Sequence, residues 1–79
     1  MKDLLVYLVK SLVDHPDQVK AEEIQREGAI IISFQVNPSD MGKVIGKQGK
    51  IIKAIRNVIK IIAVKEGKRV DIELQEAVG

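Results

Sequence analysis

The run Val44-Ile45-Gly46-Lys47-Gln48-Gly49-Lys50-Ile51-Ile52-Lys53-Ala54-Ile55 holds the residues of this 79-residue chain whose types and spacing could do chemistry. Two glycines flank Lys47 and Gln48, and a basic, isoleucine-rich segment follows. Gly46 can take the positive φ that stops a helix abruptly, and Gly49, lacking a Cβ, lets a sugar-phosphate chain approach the protein backbone. Free amides at the start of the helix that opens near Gly49, together with the positive end of its dipole, form a site for anions. Lys47 and Lys50 add mobile charge, and no carboxylate stands in the loop to repel phosphate. Beside it, Ile45, Ile52 and Ile55 offer an apolar floor for unstacked bases, with Lys53 and Arg56 at the rim. Such a floor with basic margins suits a single strand, whose bases are free to leave the stack.

Other chemistries fit the sequence poorly. Gly46-Lys47-Gln48 lacks the Gly-Lys-Ser/Thr ending of a phosphate-binding P-loop, and Gly46 to Gly49 is half of a dinucleotide fingerprint. With no cysteine, disulfides, thiolate metal sites and thiol nucleophiles are excluded. A lone His15 makes no histidine metal cluster, and its position before Pro16 reads as a helix terminus, where a cation is favourable. Asp71, Glu73 and Glu76 look like paired carboxylates, but strand alternation sets Asp71 and Glu73 on a polar face with no partner base. No nucleophile sits beside a base, so no enzyme and no cofactor are expected. A helix-turn-helix DNA binder would also join a short helix to a basic one across a glycine-containing turn, but its recognition helix should offer Asn, Gln or Arg to base edges. The first turn here presents Lys50 and Lys53 over isoleucines.

The net charge of +2 hides a strong polarity. Between Lys43 and Arg69 stand nine lysines and arginines against one acid, Glu66, whereas the rest of the chain carries four bases and ten acids. Such asymmetry points to a polyanionic partner at one surface. A chain of this length fits one thin-cored domain. Its apolar runs are too short to span a bilayer and its first residues do not form a secretion signal, so a cytoplasmic protein is expected.

Leu4, Leu5, Leu8, Val9 and Leu12 share one face of a helix predicted over 3–14, which His15-Pro16-Asp17 stops. From Gln18 to about Gln25, Val19 and Ala21 alternate with polar neighbours and Ile24 breaks the period, so an edge strand with a bulge is expected. Ile30, Ile32, Phe34 and Val36 alternate with Ile31, Ser33 and Gln35 in a central strand. Asn37-Pro38 ends it, and Ser39 or Asp40 is placed to cap a short helix through Met41, Val44 and Ile45. A long helix from about Gly49 to Lys65 turns Lys50, Lys53, Arg56 and Lys60 to one side and Ile51, Ile55, Val58, Ile59 and Ile62 to the core. Ile61, Ala63 and Val64 widen its apolar surface enough to seed a dimer. Val70, Ile72 and Leu74 alternate with Asp71, Glu73 and Gln75 in a closing strand, after which Glu76 to Gly79 should fray. The order is α-β-β-α-α-β.

Taken singly, the two glycines read as ordinary helix caps and the basic stripe as a solvated helix face. Together, Val-Ile-Gly-x-x-Gly-x-x-Ile-Lys-x-Ile from Val44 to Ile55 resembles the core motif of KH domains, and the element order resembles the prokaryotic, type II arrangement of that fold. The whole chain is similar to the small bacterial KhpA-type RNA-binding proteins, through Pro38-Ser39-Asp40-Met41-Gly42-Lys43 and Lys65-Glu66-Gly67-Lys68-Arg69-Val70 as well as the loop. This resemblance implies an α+β fold, a single KH domain over 1–79 with its core over about 29–75, and a three-stranded mixed sheet with three helices on one face. It implies single-stranded RNA as partner, about four nucleotides lying in the groove, with Lys43, Ile45, Gly46, Lys47, Gln48, Gly49, Lys50, Ile52, Lys53 and Arg56 as contact residues. A post-transcriptional regulator or RNA chaperone is the implied role, forming a homodimer or pairing with a larger KH-containing protein of the KhpB (Jag-like) type.

Overall fold

A computed structural model describes residues 1–75; the expected fraying of Glu76 to Gly79 falls outside the described residues. Three helices, α1 (Lys2–Lys10), α2 (Met41–Ile45) and α3 (Lys50–Lys65), accompany three strands, β1 (Lys20–Arg26), β2 (Ala29–Gln35) and β3 (Val70–Leu74). The sheet order is β1-β2-β3. β1 runs antiparallel to β2, from the pair Lys20 and Gln35 to the pair Arg26 and Ala29, so Glu27 and Gly28 alone make the turn. Both have positive φ, 52° and 81°, as a two-residue turn matched to strand twist requires. β3 pairs parallel to β2, from Ile30 beside Val70 to Phe34 beside Leu74. A parallel pair needs a crossover, and α2, the glycine loop and α3 together are that crossover.

Alternation does the sorting. Ile32 and Phe34 of β2 and Val70 and Ile72 of β3 are buried on the face that also receives Leu5 and Val9 of α1, Val44 of α2, and Ile52, Ile55, Ile59 and Ala63 of α3. The result is the expected α+β architecture, a mixed sheet with its helices on one face, in the order of a type II KH fold. Among the described residues, no helix is long and apolar enough to cross a membrane.

Several local expectations need correction. α1 ends at Lys10 rather than running to 14: the Ser11 amide and hydroxyl both donate to the Tyr7 carbonyl, the Leu12 amide then reaches only three residues back to the Val9 carbonyl, and Leu12 is left exposed. β1 begins at Lys20 and pairs without a bulge; Ile24 breaks the period because it lies opposite Ile31 on the face away from the helices. Asp40 stands at the N-cap position of α2, as expected, but its side chain makes no capping hydrogen bond there. Asn37 takes the capping role for a 3-10 turn at Pro38–Asp40, accepting from the Ser39 amide at 2.8 Å. In α3, Ala63 is buried whereas Val58 is 45% exposed, since Val58 sits about 100° round the helix from the buried stripe.

Candidate nucleic-acid interface

α2 stops because Gly46 adopts φ 74° and ψ 176°, a conformation closed to side chains. A second constraint acts at the same position: a Cβ on Gly46 would lie 2.5 Å from Ile51 Cγ1. Gln48 (φ 58°, ψ 25°) and Gly49 (φ 74°, ψ 17°) then take consecutive left-handed conformations, and α3 starts at Lys50. Within this bend the Gly49 amide donates to the Gly46 carbonyl at 3.2 Å and the Lys50 amide to the Lys47 carbonyl. Among the described residues the Lys47 and Gln48 amides meet no acceptor. Both residues are exposed, and around a Cβ on Gly49 the space is open to 4 Å. The bend is therefore a tip of outward-facing peptide groups at the junction of two helices, uncovered by other described residues.

The charged residues predicted for the site divide into groups. Lys47, Lys50 and Lys53 are exposed around the tip and the first turn of α3. Arg56 is half-buried, and its Nε is enclosed without a partner among the described residues. Lys60, one turn beyond Arg56 on the same flank, stands 3.8 Å from Asp71 Oδ1, so this flank of α3 overlooks the edge of β3 away from β2. The expectation that Asp71 has no partner base is corrected here. Lys43, the middle residue of α2, is engaged with the Asp14 carboxylate. That bond raises the Lys43 pKa above 10.5, against a desolvation that lowers it and with help from the charges of Asp14 and Asp40.

Of the apolar floor, Ile52 and Ile55 are core members, 9% and 6% exposed, while Ile45 is half-buried. Ile45 is the residue of the three with appreciable surface to offer.

Sequence reasoning did not find what holds α2 in place. Asp40, 1% exposed, accepts hydrogen bonds from the backbone amides of Asp14 and His15 at 3.2 and 3.0 Å, and its Oδ2 lies 3.0 Å from His15 Nδ1. Burial alone would raise its pKa, but the His15 ring and the two amides prevail and hold it below 3.8. His15 is thus a partner of Asp40 rather than a helix-terminus cation. The carboxylate ties the α1–β1 connection to the start of the helix that leads into the tip.

The chain matches the family model described as "KhpA/KhpB, KH domain" over residues 2–74. It is 60% identical to the RNA-binding protein KhpA of Clostridium acetobutylicum over 74 residues, 94% of this chain and 99% of that protein. The RNA-binding protein KhpA of Caldanaerobacter subterraneus is 51% identical over the same span. That of Aquifex aeolicus is 43% identical over 76 residues, 96% of both chains. This is a family of KH-domain proteins rather than of enzymes. Fold, loop and sequence similarity over nearly the whole length agree: the chain belongs to the KhpA/KhpB family of KH-domain proteins.

Proposed function

We propose that this chain binds single-stranded RNA and that the bend Gly46–Gly49 grips the sugar-phosphate backbone. The observation that carries this reading is the tip itself, where Lys47 and Gln48 stand exposed with unmatched amides between two helices. Phosphate oxygens are the natural acceptors for such amides. Lys47, Lys50 and Lys53 supply counter-charge along about four nucleotides, Ile45 and the margin of Ile52 lie under a base, and Arg56 closes the rim. Lys43 contributes once it leaves Asp14. RNA as the polymer is supported by the relatives, which are RNA-binding proteins by name. On this reading residues 1–79 act as a single KH domain in the cytoplasm, as a post-transcriptional regulator or RNA chaperone.

Binding is led by phosphate, so it should weaken steeply with salt and depend little on sequence at the loop itself. The test replaces Lys47 and Gln48 together by Asp and follows fluorescence anisotropy with a short single-stranded RNA. Affinity should fall by roughly tenfold or more through loss of charge and repulsion of phosphate, with thermal unfolding nearly unchanged because both side chains are exposed. Unchanged affinity refutes the clamp, and preference for a duplex of the same sequence refutes the single-strand reading.

A second reading, as an interaction module, draws on Val58, Ile61 and Val64, which are 45%, 59% and 73% exposed along α3. This strip is the place for a second copy or a larger KH-containing protein of the KhpB type. Linking two grooves that each hold few bases raises avidity through effective concentration.

A further inference from the structure

β3 pairs with β2 on one side, and among the described residues no strand pairs with its other edge. The bonds Ile30 N to Arg69 O and Gln75 N to Phe34 O, both 2.8 Å, fix the phase of this parallel ladder. Arg69, Asp71, Glu73 and Gln75 turn their peptide groups toward β2, so Val70, Ile72 and Leu74 turn theirs to that other edge. There the Ile72 amide is met by its own neighbour: Asp71 Oδ1 accepts from it at 2.9 Å. Lys60 Nζ reaches across from α3 to within 3.8 Å of that same oxygen. The two side chains remain 52% and 66% exposed, for Lys60 and Asp71 respectively, so a ligand can reach both. An ion pair this open contributes little to stability.

An acid on this flank runs against the electrostatics of a phosphate-binding surface. It makes sense if it meets a base. With one oxygen fixed by the Ile72 amide, the Asp71 carboxylate keeps lone pairs on both oxygens, and the Lys60 ammonium keeps free protons. The pair presents two acceptors beside a donor. Guanine displays the complement on its Watson–Crick edge, with the N2 amino group and N1–H as adjacent donors followed by the O6 acceptor. Adenine, cytosine and uracil lack two adjacent donors there.

We propose that Asp71 and Lys60 select guanine, Asp71 accepting from N1–H and the N2 amino group while Lys60 donates to O6. This inference rests on the reading that a single RNA strand lies along the loop and the basic flank of α3. Lys60 follows Lys50 by ten positions, about 15 Å along the helix at ~1.5 Å per residue. Four nucleotides stacked at ~3.4 Å each reach about 14 Å, just short of that span, and a strand with its bases unstacked covers it.

The experiment uses a short oligoadenylate RNA with one central position varied as guanosine, inosine, 7-deazaguanosine or adenosine, with anisotropy as readout. Inosine keeps N1–H and O6 but lacks the N2 amino group, and 7-deazaguanosine keeps the whole Watson–Crick edge. The intact protein should bind guanosine and 7-deazaguanosine RNA roughly tenfold more tightly than adenosine RNA, with inosine between. Asp71→Ala should erase the order among the four, and Lys60→Ala should reduce it while lowering all affinities. Equal affinity of the intact protein for the four oligomers overturns this inference and leaves the clamp standing. An Asp71→Ala variant that binds all four more tightly by one common factor also overturns it, because the carboxylate then acts by repulsion alone. If no oligomer binds, the single-strand reading falls and this one with it.

Discussion

Replacing Gly46 by alanine tests the bend at its most constrained point. The substitution asks a residue with a Cβ to hold φ 74° and ψ 176°, a conformation that costs about 1–3 kcal/mol outside glycine. It also drives the new methyl to 2.5 Å from Ile51 Cγ1, 2.8 Å from Cδ1 and 2.9 Å from Cβ. The first two atoms can rotate away, but Cβ moves only if the first turn of α3 moves. Overpacking of this kind adds about 1–3 kcal/mol. The total, roughly 2–6 kcal/mol, is a large part of the ~5–15 kcal/mol that holds a small domain together. At about 4–8 °C per kcal/mol for a domain of this size, the unfolding temperature should drop by at least ~8 °C. Gly49→Ala supplies the internal comparison. Its φ is also 74°, but nothing lies within 4 Å of the added Cβ, so the cost is that of a left-handed residue, about 1–2 kcal/mol. Thermal unfolding followed by circular dichroism should therefore rank the wild type, Gly49→Ala and Gly46→Ala in falling order. A Gly46→Ala variant no less stable than Gly49→Ala would refute the packing argument.

Two further outcomes are expected from groups outside the tip. The Asp40 pKa lies below its ordinary 3.8, so the stabilisation it provides is present above that value and is lost as pH falls through the lowered one. Acid unfolding monitored by circular dichroism should show this loss, and Asp40→Asn should unfold at lower temperature at neutral pH with a flatter acid limb; an identical limb in the variant would contradict the role given to the carboxylate. Glu27→Gly at the β1–β2 turn should leave stability unchanged or raise it by up to about 1 kcal/mol, because relief of a left-handed side chain at φ 52° opposes the added backbone freedom of glycine. A clear loss of stability in chemical denaturation would mean that the Glu27 side chain holds the turn by contacts.

What was legible in the sequence was local. The alternation from Ile30 to Val36 states which side of β2 faces the helices, because side-chain direction in a strand depends only on parity. The two glycines announced a bend because no other residue holds Gly46's conformation, and the burial of Ile55 and Ile59 follows from helical spacing alone. What escaped depended on partners distant in the chain. Asp40 holds the cap position the sequence offered, but its carboxylate is satisfied 25 residues away, at His15, which no local pattern states. Ile24 read as a bulge because its partner Ile31 belongs to the next strand. Val58 read as core because the predicted stripe was drawn too wide, and the width depends on how α1 and the sheet press on α3. Lys60 and Asp71 meet only because the sheet order places β3 beside that flank.

The parallel pairing of β2 and β3 has a practical consequence. The chain leaves β2 at Gln35, bends at Gly46, and must return along α3, about 24 Å of helix, before β3 can start beside Ile30. The Glu27–Gly28 turn, which shares a surface hollow with Gly67 and Lys68 at the far end of α3, is therefore remote from the glycine bend. A fluorophore or affinity handle attached at Glu27 would report on the molecule from the end opposite the proposed grip, without crowding it.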